Sequence, residues 1–184
     1  MELIIWIILA AAAIVVLAFI IYYNRFVTLE NRIDNSLSQI DVQLKKRSDL
    51  IPSLLATVKG YAKHEKEIMK DVTDARKVFL SAQSIQDKAK AGAELQNALK
   101  SIFALSESYP QLRANENFLN LQQELAAIEE KIAYSRQYYN DSILSFNNSV
   151  ETFPGVIFAK IFSKREREML KIAVEERAVP KINF

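Results

Sequence analysis

A chain of 184 residues is long enough for one domain with a sizeable core. Zero cysteines exclude a disulfide framework, a thiolate metal site and a cysteine nucleophile, and a single histidine removes most zinc, haem and imidazole-base chemistry. Only 3 glycines and 4 prolines argue against an all-β fold or a disordered chain, and a net charge of +2 is too small to imply a nucleic-acid partner.

The first element is apolar all round. From Leu3 to Asn24 no side chain is charged: LIIWIILAAAAIVVLAFIIYYN. A bilayer-spanning helix needs about 20 apolar residues. Trp6 lies near one end, and Tyr22 and Tyr23 close the other, where amphipathic rings favour the interface. A cleaved secretory signal would start basic, carry a shorter apolar run and end on small residues. Here the start is Glu2, and the alanines from Ala10 to Ala13 lie in mid-span. A bundle helix would show a polar stripe. Residues 1–25 therefore read as a single-pass transmembrane anchor, with the membrane lipid bilayer as its partner. Arg25, Arg32, Lys45, Lys46 and Arg47 follow the run, and no basic residue precedes it. The positive-inside bias puts the N-terminus outside the cell membrane and the large domain in the cytoplasm.

Helical spacing continues beyond the anchor. Leu29, Ile33, Leu37, Ile40 and Leu44 form one stripe, and no Gly or Pro separates it from the membrane segment. One continuous helix is expected to about Leu50, where Pro52 interrupts it. A second helix is expected from there along Leu54, Val58, Tyr61, Glu65, Ile68, Val72, Ala75, Phe79 and Ala82, with only Glu65 out of pattern. Residues 81–90 are polar and read as a loop or frayed turn. A third helix carries Ala91, Leu95, Leu99 and Ile102 and stops before Pro110. The fourth and longest runs from Phe118 to Phe153 and stops at Pro154-Gly155. The fold expected is all-α: an N-terminal transmembrane helix (1–25), then an elongated antiparallel helical bundle (26–153). The segment 154–184 packs on the bundle or lies near the membrane surface.

Reactive machinery is scarce. His64 sits among Lys63, Glu65, Lys66 and Glu67 and reads as a solvated residue. HExxH, Glu-x-x-His pairs, phosphate-binding glycine loops and nucleophile elbows are all missing. No catalytic residue, metal site or cofactor is assigned. Glu65 interrupts an apolar stripe, which suggests a carboxylate paired with Arg136 or another basic group inside the bundle. Two polar clusters remain, Lys45 to Pro52 and Tyr134 to Asp141, with Asn147 and Asn148 continuing the second. They read as structural networks or as a binding surface, and Arg47, Arg136, Tyr139 and Asn140 are the candidate interaction residues. Phe158 and Phe162, followed by Lys164 and Arg165, suit either a cap on the bundle core or an anionic membrane surface.

Several blocks together resemble a known family: QIDVQLKKRSDLIPSLLATVKGYAKHE, SESYPQLRANENFLNLQQEL, IAYSRQYYNDSILSFNNSVETFPGVIFAKIF and the tail PKINF. In order and spacing they are similar to the LemA family, over nearly the whole chain from Tyr23 to Phe184. The resemblance implies a bacterial membrane protein with a helical-bundle domain and no known enzymatic reaction. It brings no catalytic residues to carry over. The function expected is that of a scaffold or adaptor for another membrane protein, without enzymatic activity. Self-association through the small residues of the anchor is a variant. The alternatives are a lipid-sensing bundle acting through the segment around Phe158 and Phe162, and a small-molecule binder or enzyme built on Glu65 and Arg136.

Overall fold

The computed structural model describes residues 1–170 of the chain. These residues are helical, with no strand among them, as the composition requires. In chain order the helices are α1 (Glu2–Tyr61), α2 (Lys66–Ser81), α3 (Ile85–Ser108), α4 (Pro110–Arg113), α5 (Glu116–Glu151) and α6 (Gly155–Ile161).

The first helix corrects the expected break at Pro52, because α1 runs through that residue for 60 residues in all. Proline has no N–H to give to the carbonyl four residues back, which is that of Ser48. Arg76 Nε donates to that carbonyl instead, at 2.9 Å. Ile51, Leu54 and Val58 are fully buried on either side of the proline, so packing holds the helix where one backbone bond is missing. The chain turns at 62–65 instead, inside the stretch expected to be one helix. Glu65, the residue that did not fit the stripe, directly precedes α2. Val58 of α1 and Val72 of α2 are both buried, so the apolar spacing carries across the turn and hides it.

The loop expected over 81–90 shrinks to Ala82–Ser84. Ser84 caps α3: its Oγ accepts from the Asp87 N–H at 3.0 Å and donates to Asp87 Oδ2 at 2.7 Å. This reciprocal pair starts the helix well before its apolar stripe does. The stop before Pro110 holds, and Pro110 opens the one-turn α4. Asn115 starts α5, its Oδ1 accepting from the Phe118 N–H at 3.0 Å. The end of α5 at Glu151, ahead of Pro154, agrees with the expected breaker.

Two compact units share α1 and α5. One comprises residues 1–39 and 135–169, the other residues 40–134 with Leu170. In the second, α1, α2, α3 and α5 form a bundle. Asp41 and Arg47 of α1 meet Lys88 and Gly92 of α3, so these two helices run parallel. Tyr61 and Arg47 meet Asn115 and Glu129, so α5 runs antiparallel to α1. Ile51, Leu54, Leu95, Ile102, Phe118 and Ile132 are fully buried in this unit.

In the first unit, Phe26 and Ile33 of α1 are buried, as are Ile143 and Phe146 of α5. Phe26 and Phe146 meet edge to face at 6.2 Å. The buried hydroxyls here satisfy themselves. Ser36 donates to the Ile33 carbonyl at 2.7 Å, and Ser142 to the Tyr138 carbonyl at 2.7 Å. Among the described residues, the side chains of the apolar run stay exposed from Leu3 as far as Leu17. It is one helix long and apolar enough to cross a membrane.

Candidate functional site

Arg47 lies on the same face of α1 as Leu44 and Ile51 and is only 2% exposed. Burying a guanidinium is costly unless its donors are matched. Here Nη1 donates to Glu129 Oε2 of α5, and Nη2 donates to the Gly92 carbonyl of α3 at 2.8 Å. One side chain thus ties three helices of the unit together. Beside it, Lys88 of α3 pairs with Asp41 of α1 at 2.9 Å.

The outer surface of the same unit carries a groove of about 500 Å³ between α1 and α2. Half-buried Leu55 and Met69 line it, and Lys59, Lys66, Lys70 and Lys77 stand around it. Lys77 leans on Asp74 at 3.0 Å. The sequence reading missed this face. Its signal is the spacing of Lys66, Lys70 and Lys77, which places them along one side of α2; interspersed Glu67, Asp71 and Asp74 disguised it.

Glu65 is half-buried at the N-terminal end of α2. Its Oε1 accepts from the Tyr109 hydroxyl at 3.1 Å, where the sequence had suggested Arg136 as partner. The phenol's proton is held more tightly as a result. The hydrogen bond to Glu65, desolvation and the carboxylate's charge all raise the Tyr109 pKa. His64 is exposed in the adjoining turn. Among the described residues, no group of three or more His, Cys, Asp or Glu side chains is placed to hold a metal ion.

Arg136, Tyr139 and Asn140 belong to the other unit. Arg136 and Asn140 are half-buried, and Tyr139 is buried. Burial raises the Tyr139 pKa, Arg167 opposes that rise, and Asp34 adds to it. The structure brings Tyr139 together with a basic strap. Arg167 lies 3.5 Å from Glu30 and 3.7 Å from Asp34, and its guanidinium sits over the Phe146 ring at 5.4 Å. The Asn147 amide clamps the strap's backbone, accepting from the Arg167 N–H and donating to the Arg167 carbonyl, both at 2.9 Å.

The aromatic residues expected to cap the bundle core or to meet a membrane surface pack inward. Phe158 and Phe162 face α1: Phe158 stacks on Tyr22 at 4.6 Å, and Phe162 meets Phe19 at 4.8 Å and Tyr23 at 5.4 Å. Lys164 is held by Glu30 at 2.7 Å, and Arg165 is exposed. The helix has apolar residues on two faces, and α1 takes the one that carries the larger rings. Residues 154–169 of the C-terminal segment are thus packed on α1 and α5 of their own unit; the tail PKINF lies outside the described residues.

The chain is similar to several known proteins. A profile of the LemA family matches residues 36–184. Magnetosome protein MamQ of Magnetospirillum gryphiswaldense is 24% identical over 165 residues, covering 76% of this chain and 61% of its own. Protein LemA of Metamycoplasma hominis is 28% identical over 134 residues, covering 71% and 60%. Magnetosome protein MamQ 2 of Paramagnetospirillum magneticum is 23% identical over 158 residues, covering 72% and 58%. The chain therefore spans about three fifths of the length of these relatives.

Proposed function

The chain belongs to the LemA family, and from that premise we propose that this membrane-associated helical protein is an adaptor without chemistry of its own, which holds a partner membrane protein against its bundle. In this reading α1 crosses the cell membrane with its N-terminus outside, and the bundle stands in the cytoplasm. The groove between α1 and α2 is the observation that carries the adaptor role. An apolar floor ringed by exposed lysines suits an amphipathic segment with acidic flanks, because burial supplies affinity and charge supplies register. The inward-facing bonds of Arg47 support the same reading, since they stiffen the unit that presents the groove.

The test uses the full chain in intact membranes. A photo-crosslinker attached through Met69→Cys is expected to give a reproducible adduct with one membrane protein. Lys66→Glu with Lys70→Glu is expected to abolish it. The adaptor reading fails if Met69 yields no adduct, or only those also formed from an exposed site on α5 such as Leu119→Cys.

A further inference from the structure

The face of α6 that α1 does not use is unexplained by packing. Phe153, in the turn before α6, is 81% exposed, and Ile157 and Ile161 are 49% and 56% exposed. Ile157 and Ile161 are spaced by four residues, so they share one side of the helix, and Phe153 lies just ahead of it. We propose that this side is a second membrane contact: a foot that lies in the interfacial layer of the leaflet from which α1 emerges. The proposal rests on the reading that α1 spans the bilayer, and it adds a contact which that reading does not require.

Depth is the first argument. The apolar run of α1 from Leu3 to Tyr23 is about 31 Å long at 1.5 Å per residue, against a hydrocarbon core of about 30 Å. Its last turns carry Phe19, Tyr22 and Tyr23, and these are the rings that Phe158 and Phe162 touch. Those contacts fix α6 at the edge of the hydrocarbon. The exposed Ile20 and Ile21 of α1 lie at the same level, so the foot continues an apolar band that already faces lipid.

Rigidity is the second. At Gly155 an added Cβ would stand 2.1 Å from the Ser149 carbonyl oxygen and 3.4 Å from the Tyr22 ring, so only glycine admits this close approach. At the other end Lys164 is held by Glu30 and the strap by Asn147. The helix also closes its own last carbonyls. The Lys164 N–H reaches the Ala159 carbonyl at 2.8 Å and the Ser163 N–H reaches the Lys160 carbonyl at 3.3 Å, with Ser163 at φ 55. A backbone that satisfies itself suits a site poor in water. Lys160, exposed between Ile157 and Ile161, lays its stem along lipid and keeps its ammonium among the headgroups.

The chain has no cysteine, so single thiols can be placed at will. An environment-sensitive fluorophore is attached to the full-length protein at Ile157→Cys, Ile161→Cys, Val15→Cys in mid-anchor, or Tyr138→Cys, which is 45% exposed on α5 and about 17 Å further from the membrane by helix rise. Each variant is reconstituted into phosphatidylcholine vesicles containing lipids with a nitroxide near the headgroup or deep in the acyl chain. The expected result is at least twofold stronger quenching by the shallow nitroxide at Ile157 and Ile161 than at Tyr138, with Val15 quenched by the deep one. If Val15 is quenched and both foot positions behave like Tyr138, the foot is wrong and the anchor stands. If Val15 is not quenched, the anchor reading falls and takes the foot with it. Probes at Ile157 and Ile161 that lose contact with water yet escape both nitroxides would assign the face to a protein contact and overturn the proposal.

Discussion

Two charged residues illustrate how much a site depends on its surroundings. Arg47 is the largest fully buried side chain among the described residues, and its partner Glu129 is about one-third exposed. Removing the carboxylate strands a charge that water cannot reach, whereas exchanging both residues for apolar ones strands nothing. Glu129→Ala should therefore cost about 1–3 kcal/mol in denaturant unfolding, and Arg47→Met with Glu129→Leu less than the sum of the two single changes. A strictly additive pair would show that the two side chains do not interact. Glu151 is a case of the opposite kind. The Glu166 carboxyl shares a hydrogen bond with it and repels its charge, and both effects raise its pKa. Above the ordinary carboxyl value, and below the raised one, the folded chain keeps a proton that the unfolded chain has released. That contribution to stability is complete below the ordinary value and is lost as pH climbs through the raised one. Thermal melts from pH 4 to 7 should show Glu166→Gln gaining on the wild type as pH rises. A constant difference across that range would contradict the coupling.

At the scale of elements, the path of α1 through Pro52 depends on a residue 24 positions away. Arg76 Nε occupies the carbonyl that proline leaves unmatched. Arg76→Met should cost about 1–3 kcal/mol, and considerably less in a Pro52→Ala background, where the backbone bond can form again. Equal costs in both backgrounds would remove Arg76 from this role. The same contact explains why the helix boundary was illegible. A proline announces a local defect, but its repair comes from a distant residue with no sequence mark. Boundaries at Pro110 and Pro154 were legible because the helices ahead of them do end there, at Ser108 and Glu151. The turn at 62–65 was hidden for another reason: Val58 and Val72 face one core, so the apolar period survives the turn. The capping pair of Ser84 and Asp87 was readable in principle, but the scarcity of large apolar residues nearby outweighed it. For α6, the spacing announced apolar residues without saying which set α1 would take. Phe158 and Phe162 went inward, leaving Phe153, Ile157 and Ile161 outside. Arg47 stood out in the sequence as part of a polar cluster, and only burial shows that its bonds point into the bundle.

For the molecule as a whole, the account turns on the fate of the apolar run that begins at Leu3. Its side chains are exposed, and each Leu, Ile, Val or Phe placed near the middle of a bilayer favours insertion by about 0.3–0.6 kcal/mol. In water the same surface would be a large aggregation-prone patch. Lipid is therefore the solvent that suits this run, and the foot and the adaptor groove take their meaning from that proposed position. The most direct measurement is alkaline extraction of membranes from cells producing the full chain, combined with intact mass of the recovered protein. The protein is expected to stay in the lipid pellet with residues 1–25 still attached. Release into the supernatant, or a mature form from which this segment has been removed, would contradict it.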